Sequence, residues 1–78
     1  MKARGNGGGT GEPARYEISV RGHLSDRLLA AFPEVHGETR GPDTVLCGDL
    51  PDQAALFGIL AQIEALGLEL LEVRRSMR

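Results

Sequence analysis

Cysteine, aromatic residues and long apolar runs are all scarce in this 78-residue chain. Cys47 is the single cysteine, tryptophan is absent, and the aromatics are Tyr16, Phe32 and Phe57 alone. One thiol excludes an internal disulfide, argues against a cysteine-rich structural zinc site, and suits a reducing cytoplasm. Three aromatics are too few to stack bases across a sheet as RNA-binding plaits do. No run approaches the ~18 apolar residues that a membrane-spanning helix needs. Lys2 and Arg4 are followed by glycines where a signal peptide needs an apolar segment. The expectation is a cytoplasmic protein without membrane contact. Lysine is nearly absent too, with Lys2 against eight arginines; codon bias of a GC-rich genome accounts for that. The net charge is −2, and residues 15–78 hold seven Arg against ten Asp and Glu. A mildly acidic domain lacks the basic footprint of a nucleic-acid binder.

What is present divides into a tail and one small domain. Residues 1–14, MKARGNGGGTGEPA, are glycine-rich and almost free of apolar side chains. Such a segment cannot offset its ordering entropy and is expected to be disordered. It lacks the preceding strand and the Lys-Ser/Thr of a phosphate-binding loop. Residues 15–75 are expected to form a single domain, near the size where one core is marginally sufficient. The chain is expected to fray from Arg74 on, with residues 76–78 outside the domain.

Within the domain, RYEISVR (15–21) alternates: Tyr16, Ile18 and Val20 on one side, Arg15, Glu17, Ser19 and Arg21 on the other. That is a half-buried strand. LSDRLLAAF (24–32) reads as a short helix with Ser25 as N-cap, Leu24 and Leu29 at staple spacing, and Pro33 as its stop. EVHGETR (34–40) fits an irregular edge strand, and Gly41-Pro42-Asp43 a turn. TVLCGDL (44–50), nearly continuous in apolar residues, fits a central strand buried on both sides. Pro51 and Asp52 open a long helix with an inward stripe of Leu56, Ile59, Leu60, Ile63 and Leu66, and Gly67 is its expected C′ residue. A last strand spans 68–73, with Leu68, Leu71 and Val73 as core residues and a bulge or late start where the alternation breaks.

The order strand–helix–strand–strand–helix–strand predicts an α+β, ferredoxin-like βαββαβ sandwich: a four-stranded antiparallel sheet with two helices on one face. The segments RYEISVRGHLSD and DQAALFGILAQIEALGLELLEV resemble a group of small uncharacterised actinobacterial proteins, over most of residues 15–73. That resemblance implies a family without an activity. The plan is also similar to ACT-type regulatory domains, without their glycine-aspartate ligand loop; the matching position here is Arg21-Gly22-His23.

No constellation carries catalysis. His23, His36 and Cys47 match no short nucleophile or metal signature, so catalytic, cofactor-binding and metal residues are all read as none. Cys47 reads as a small buried hydrophobe, His23 as a loop residue and His36 as solvated. Glu17, Glu38, Glu69 and Glu72 sit among Arg15, Arg21, Arg40 and Arg74 and read as surface ion pairs. The anomaly is the outer side of the long helix. Ala54, Phe57, Gly58, Ala61 and Ala65 face outward, and Glu64 is the one charge between Gln53 and Gly67. A solvent-facing helix normally carries more charge. The reading is a non-enzymatic, self-associating interaction module, a homodimer with an unidentified protein partner, meeting through this helix face, a bare sheet face carrying Leu46 or Leu70, or an edge strand. The alternative is a small-ligand-sensing regulatory domain with its site at Arg21, Gly22 and His23.

Overall fold

A computed structural model of the chain describes residues 13–76. The expected tail lies outside the described residues apart from its last two, as do Met77 and Arg78. The elements are β1 (Ala14–Val20), α1 (Asp26–Leu29), β2 (His36–Arg40), β3 (Asp43–Leu50), α2 (Gln53–Ala65) and β4 (Leu70–Ser76). All strands are antiparallel in one sheet of order β2-β3-β1-β4. This is the ferredoxin-like α+β arrangement, with β1 and β3 central.

Each strand's parity decides its faces. Ala14, Tyr16, Ile18 and Val20 of β1 and Leu46 and Leu50 of β3 point toward the helices and join Phe32, Leu56, Ile59 and Ile63 in one buried cluster. Ala14, assigned by sequence to the tail, belongs to this core. It pairs with Leu50 and is 2% exposed, because it extends the β1 parity by one step. Leu46 is likewise fully buried under the helices rather than on the bare face, since it opposes Ile18.

The first helix is shorter than its sequence suggests. Ser25 caps it as expected, its Oγ accepting from Leu28 N at 3.2 Å. After Leu29 the backbone tightens into three-residue steps, Ala31 N to Leu28 O and Phe32 N to Leu29 O. Pro33 admits no further turn. β2 starts at His36, two residues late, because Glu34 and Val35 cross over the sheet at Gly48; a Cβ there would meet Glu34 O at 2.8 Å.

The β2–β3 hairpin closes with Arg40 opposite Asp43, leaving Gly41-Pro42 as a two-residue loop. Gly41 has φ +59°, the left-handed value that the first position of a type II′ turn requires. α2 is fixed at both ends. Asp52 accepts from Ala55 N at 2.9 Å. At the other end Gly67 N reaches Glu64 O and Leu68 N reaches Ile63 O, with Gly67 at φ +75°. That is the full Schellman pattern.

β4 departs most from expectation. It starts at Leu70, and its register against β1 shifts between Ser19 and Val20, so both the late start and the bulge are present. It then continues past Val73 to Ser76, with Arg74 opposite Glu17, Arg75 opposite Tyr16 and Ser76 opposite Arg15, so these residues are paired rather than frayed. Its apolar residues are not core. Leu71 is 41% and Val73 38% exposed, and Leu66 at the end of α2 is 38% exposed. The buried side chains of α2 join those of the central strands β1 and β3, and no β4 residue is in that buried cluster. The α2 stripe buries Leu56, Ile59 and Ile63 against the central strands and leaves the β4 edge partly uncovered.

Candidate functional site

Four places were expected to matter: the Arg21-Gly22-His23 loop, the outer side of α2, an edge strand and the bare sheet face. The first is the Arg21-Gly22-His23 loop, whose polar groups are engaged within the chain. Gly22 N donates to Asp43 Oδ1 at 3.1 Å, and Gly22 O accepts from Thr44 Oγ1 at 2.7 Å. Thr44 Oγ1 also accepts from Leu24 N at 3.2 Å. His23 Nε2 lies 2.8 Å from Gly41 O; the carbonyl can only accept, so Nε2 carries the proton. Arg21 pairs with Glu69 at 2.9 Å. The loop is thus a clasp holding the β1 exit against the β2–β3 turn.

The second place is the outer side of α2. Ala54, Phe57, Gly58, Ala61 and Ala65 are all exposed, Phe57 by 60%. A Cβ on Gly58 would meet nothing within 4 Å.

The third is the β4 flank. Leu70 is 43% exposed beside Leu71, Val73 and Leu66. An apolar groove of about 660 Å³ opens between the end of α2 and the start of β4, walled by Leu60, Ile63, Leu68 and Leu70, with Glu64 and Glu69 at its rim. The opposite edge of the sheet is different. β2 is five residues, HGETR, with Glu38 paired to Arg40 at 3.5 Å and to His36 at 3.7 Å. Charge and brevity are the usual protections of an edge strand; β2 has both.

The fourth place is the sheet face away from the helices. Arg15, Glu17 and Ser19 of β1, Val45, Cys47 and Asp49 of β3, and His36, Glu38 and Arg40 of β2 share it by parity. No aromatic residue stands among them. Val45 and Cys47 are 3% and 1% exposed although no helix lies over them. Cys47 is flanked by Glu38, Glu17, Arg15 and Arg40. Burial pushes its thiol pKa up, and the Glu38 and Glu17 carboxylates add to this while Arg15 and Arg40 oppose it. At neutral pH the free thiol is protonated.

The hairpin register sets Cys47 directly opposite His36, with Glu38 two residues along the same face. The donor atoms of His36, Glu38 and Cys47 lie within 4.8 Å of one another. Linear spacing gives no hint of this trio. The signal was the Gly41-Pro42 turn: a two-residue loop closing Arg40 on Asp43 forces His36 onto Cys47.

Of the expected surface carboxylates, Glu69, Glu38 and Glu72 pair with Arg21, Arg40 and Arg74 (the last at 3.5 Å), whereas Arg15 reaches Asp49 at 4.0 Å, a pair not among those expected. Among the described residues no helix is long and apolar enough to cross a membrane. No curated protein and no solved structure matches the chain. A family model described as Domain of unknown function (DUF8691) matches residues 15–74, β1 through most of β4. The chain belongs to that family.

Proposed function

We propose that the domain is a non-enzymatic, self-associating interaction module of the cytoplasm, and that its homodimer forms by antiparallel pairing of β4 with β4 of a second copy. The observation that carries this is the contrast between the two sheet edges. β2 is five residues with no apolar side chain, whereas β4 runs seven residues and, beside Glu72, Arg74 and Arg75, exposes Leu70, Leu71 and Val73 by 38–43%. An unpaired edge with exposed apolar side chains is a template for another strand.

Charge favours a second copy as the occupant. With the two-fold axis at Val73, Glu72 of one chain faces Arg74 of the other, twice, on the open face of the sheet. Opposite charges directly across an antiparallel pair are stabilising. The same register keeps the helices of both copies on one side: the two Val73 side chains meet at the axis, and Leu71 of each copy lies across from Arg75 of the other, packing against its aliphatic stem. The adjoining groove at Leu60, Leu68 and Leu70 continues that contact toward α2. A lone buried thiol is consistent with a reducing compartment.

Sedimentation equilibrium tests the reading. The protein is expected to be dimeric at high micromolar concentration. Val73→Lys should shift it to monomer, and Phe57→Glu should leave it unchanged because that side of α2 points elsewhere. Glu72→Arg should weaken the dimer, and Glu72→Arg with Arg74→Glu should restore it. A wild-type monomer at those concentrations overturns the proposal. Loss of the dimer in Phe57→Glu alone would move the contact to the helix.

A further inference from the structure

We propose that His36, Glu38 and Cys47 form a binding site for a borderline-soft divalent transition metal, with zinc as the ion whose ligand preferences they match. The site stands on the edge of the sheet opposite β4, so it is independent of how the chain self-associates.

The geometry comes from the backbone. β2 and β3 are joined by a two-residue turn, the shortest connection that fixes an antiparallel register. It places His36 directly across from Cys47 on the open face, with Glu38 next on that face of β2. Imidazole nitrogen, carboxylate oxygen and sulfur all lie within 4.8 Å of each other, and His36 Nε2 is 3.7 Å from Glu38 Oε2. A tetrahedral ion with bonds of about 2.0–2.3 Å holds its ligand atoms roughly 3.3–3.8 Å apart. The trio must therefore close by at most about 1.5 Å, within reach of side-chain rotation. His36 and Glu38 have that freedom, with side chains 62% and 49% exposed. Cys47 is the fixed point, held in a central strand.

The donor chemistry selects the class of ion. One sulfur, one nitrogen and one oxygen donor suit zinc or cobalt; magnesium and calcium prefer all-oxygen shells. Binding converts the Cys47 thiol to a thiolate–metal bond, and the displaced proton leaves to solvent. Thiolate and carboxylate then neutralise the dication. Arg40 Nη2 donates to Glu38 Oε1 at 3.5 Å, leaving Oε2 turned toward His36. That contact orients the carboxylate from outside the metal shell. Three protein ligands leave the fourth position to water on the exposed side.

Cobalt(II) reads this site directly, because a cobalt–thiolate bond gives a near-ultraviolet charge-transfer band and tetrahedral cobalt gives intense visible bands. The full chain, kept reduced with a phosphine, is titrated with Co²⁺. The bands are expected to saturate at one ion per chain, to be bleached by Zn²⁺ and to be unaffected by Ca²⁺. Cys47→Ala should abolish the charge-transfer band. His36→Ala and Glu38→Gln, both on an exposed edge where the fold tolerates change, should each weaken binding about ten-fold or more. Absence of the sulfur band overturns the proposal. So does cobalt binding that is untouched in His36→Ala and Glu38→Gln, or that Ca²⁺ displaces as readily as Zn²⁺.

Discussion

Thr44 shows how few polar groups this small core tolerates and how completely it satisfies them. Its side chain is buried at 2% exposure, yet Oγ1 donates to Gly22 O and accepts from Leu24 N. Valine has the same shape and neither bond. Thr44→Val should therefore lower unfolding free energy by about 1–2 kcal/mol, from two backbone groups left without partners. Urea denaturation monitored by circular dichroism would register this as a lower midpoint with an unchanged slope. Cys47 is the other residue whose surroundings matter. Its burial was legible from the apolar run TVLCGDL, but the cover on that face is the side chains of the flanking strands and not a second layer. Its company was not legible. His36 and Glu38 come to it through hairpin register, a property of pairing rather than of local sequence. The role of Thr44 was hidden for the same reason, because its partners are backbone groups on a different strand connection.

At the level of elements, local signals were read well and their mutual placement less so. Ser25, Asp52, Gly41 and Gly67 each stand where capping and turn chemistry put them, and each makes the expected bond or dihedral. The inward stripe of α2 was also correct in kind. Leu66, Leu71 and Val73 nevertheless proved exposed, because an amphipathic pattern says which side of a helix is apolar but not which strands lie beneath it. Here the buried side of α2 packs with β1 and β3, and β4 is left partly uncovered. Gly58 offers a clean test of the exposed side of the helix. Its missing Cβ faces open space, and glycine in mid-helix costs about 0.5–1 kcal/mol relative to alanine. Gly58→Ala should raise stability by that amount in thermal or chemical denaturation. It should leave association unchanged, since the proposed contact runs along β4.

For the whole molecule, the order of elements was enough to specify the fold, because short right-handed crossovers admit few arrangements of two strand–helix–strand units. The single core is correspondingly thin, and α1, a single turn, has no fully buried residue and packs against it through Leu29 alone. A domain of this size gains from any partner that binds only the folded state. If the dimer supplies that support, the melting temperature depends on concentration. Ten-fold more protein adds about 1.4 kcal/mol per dimer, shared by two chains. Calorimetry should then show a rise of roughly 3–5 °C per ten-fold increase, set by the unfolding entropy of so small a domain. A melting temperature flat across two decades of concentration would count against association.

The pairing of Arg15 with Ser76 carries one more consequence. The first and last strands are neighbours running in opposite directions, so the chain enters and leaves the fold at the same corner of the sheet, one strand spacing apart (about 5 Å). To a protein engineer this is a cassette. It can be spliced into a surface loop of a host protein, or have its ends bridged by a short linker and be reopened at the Gly41-Pro42 turn, without moving any strand.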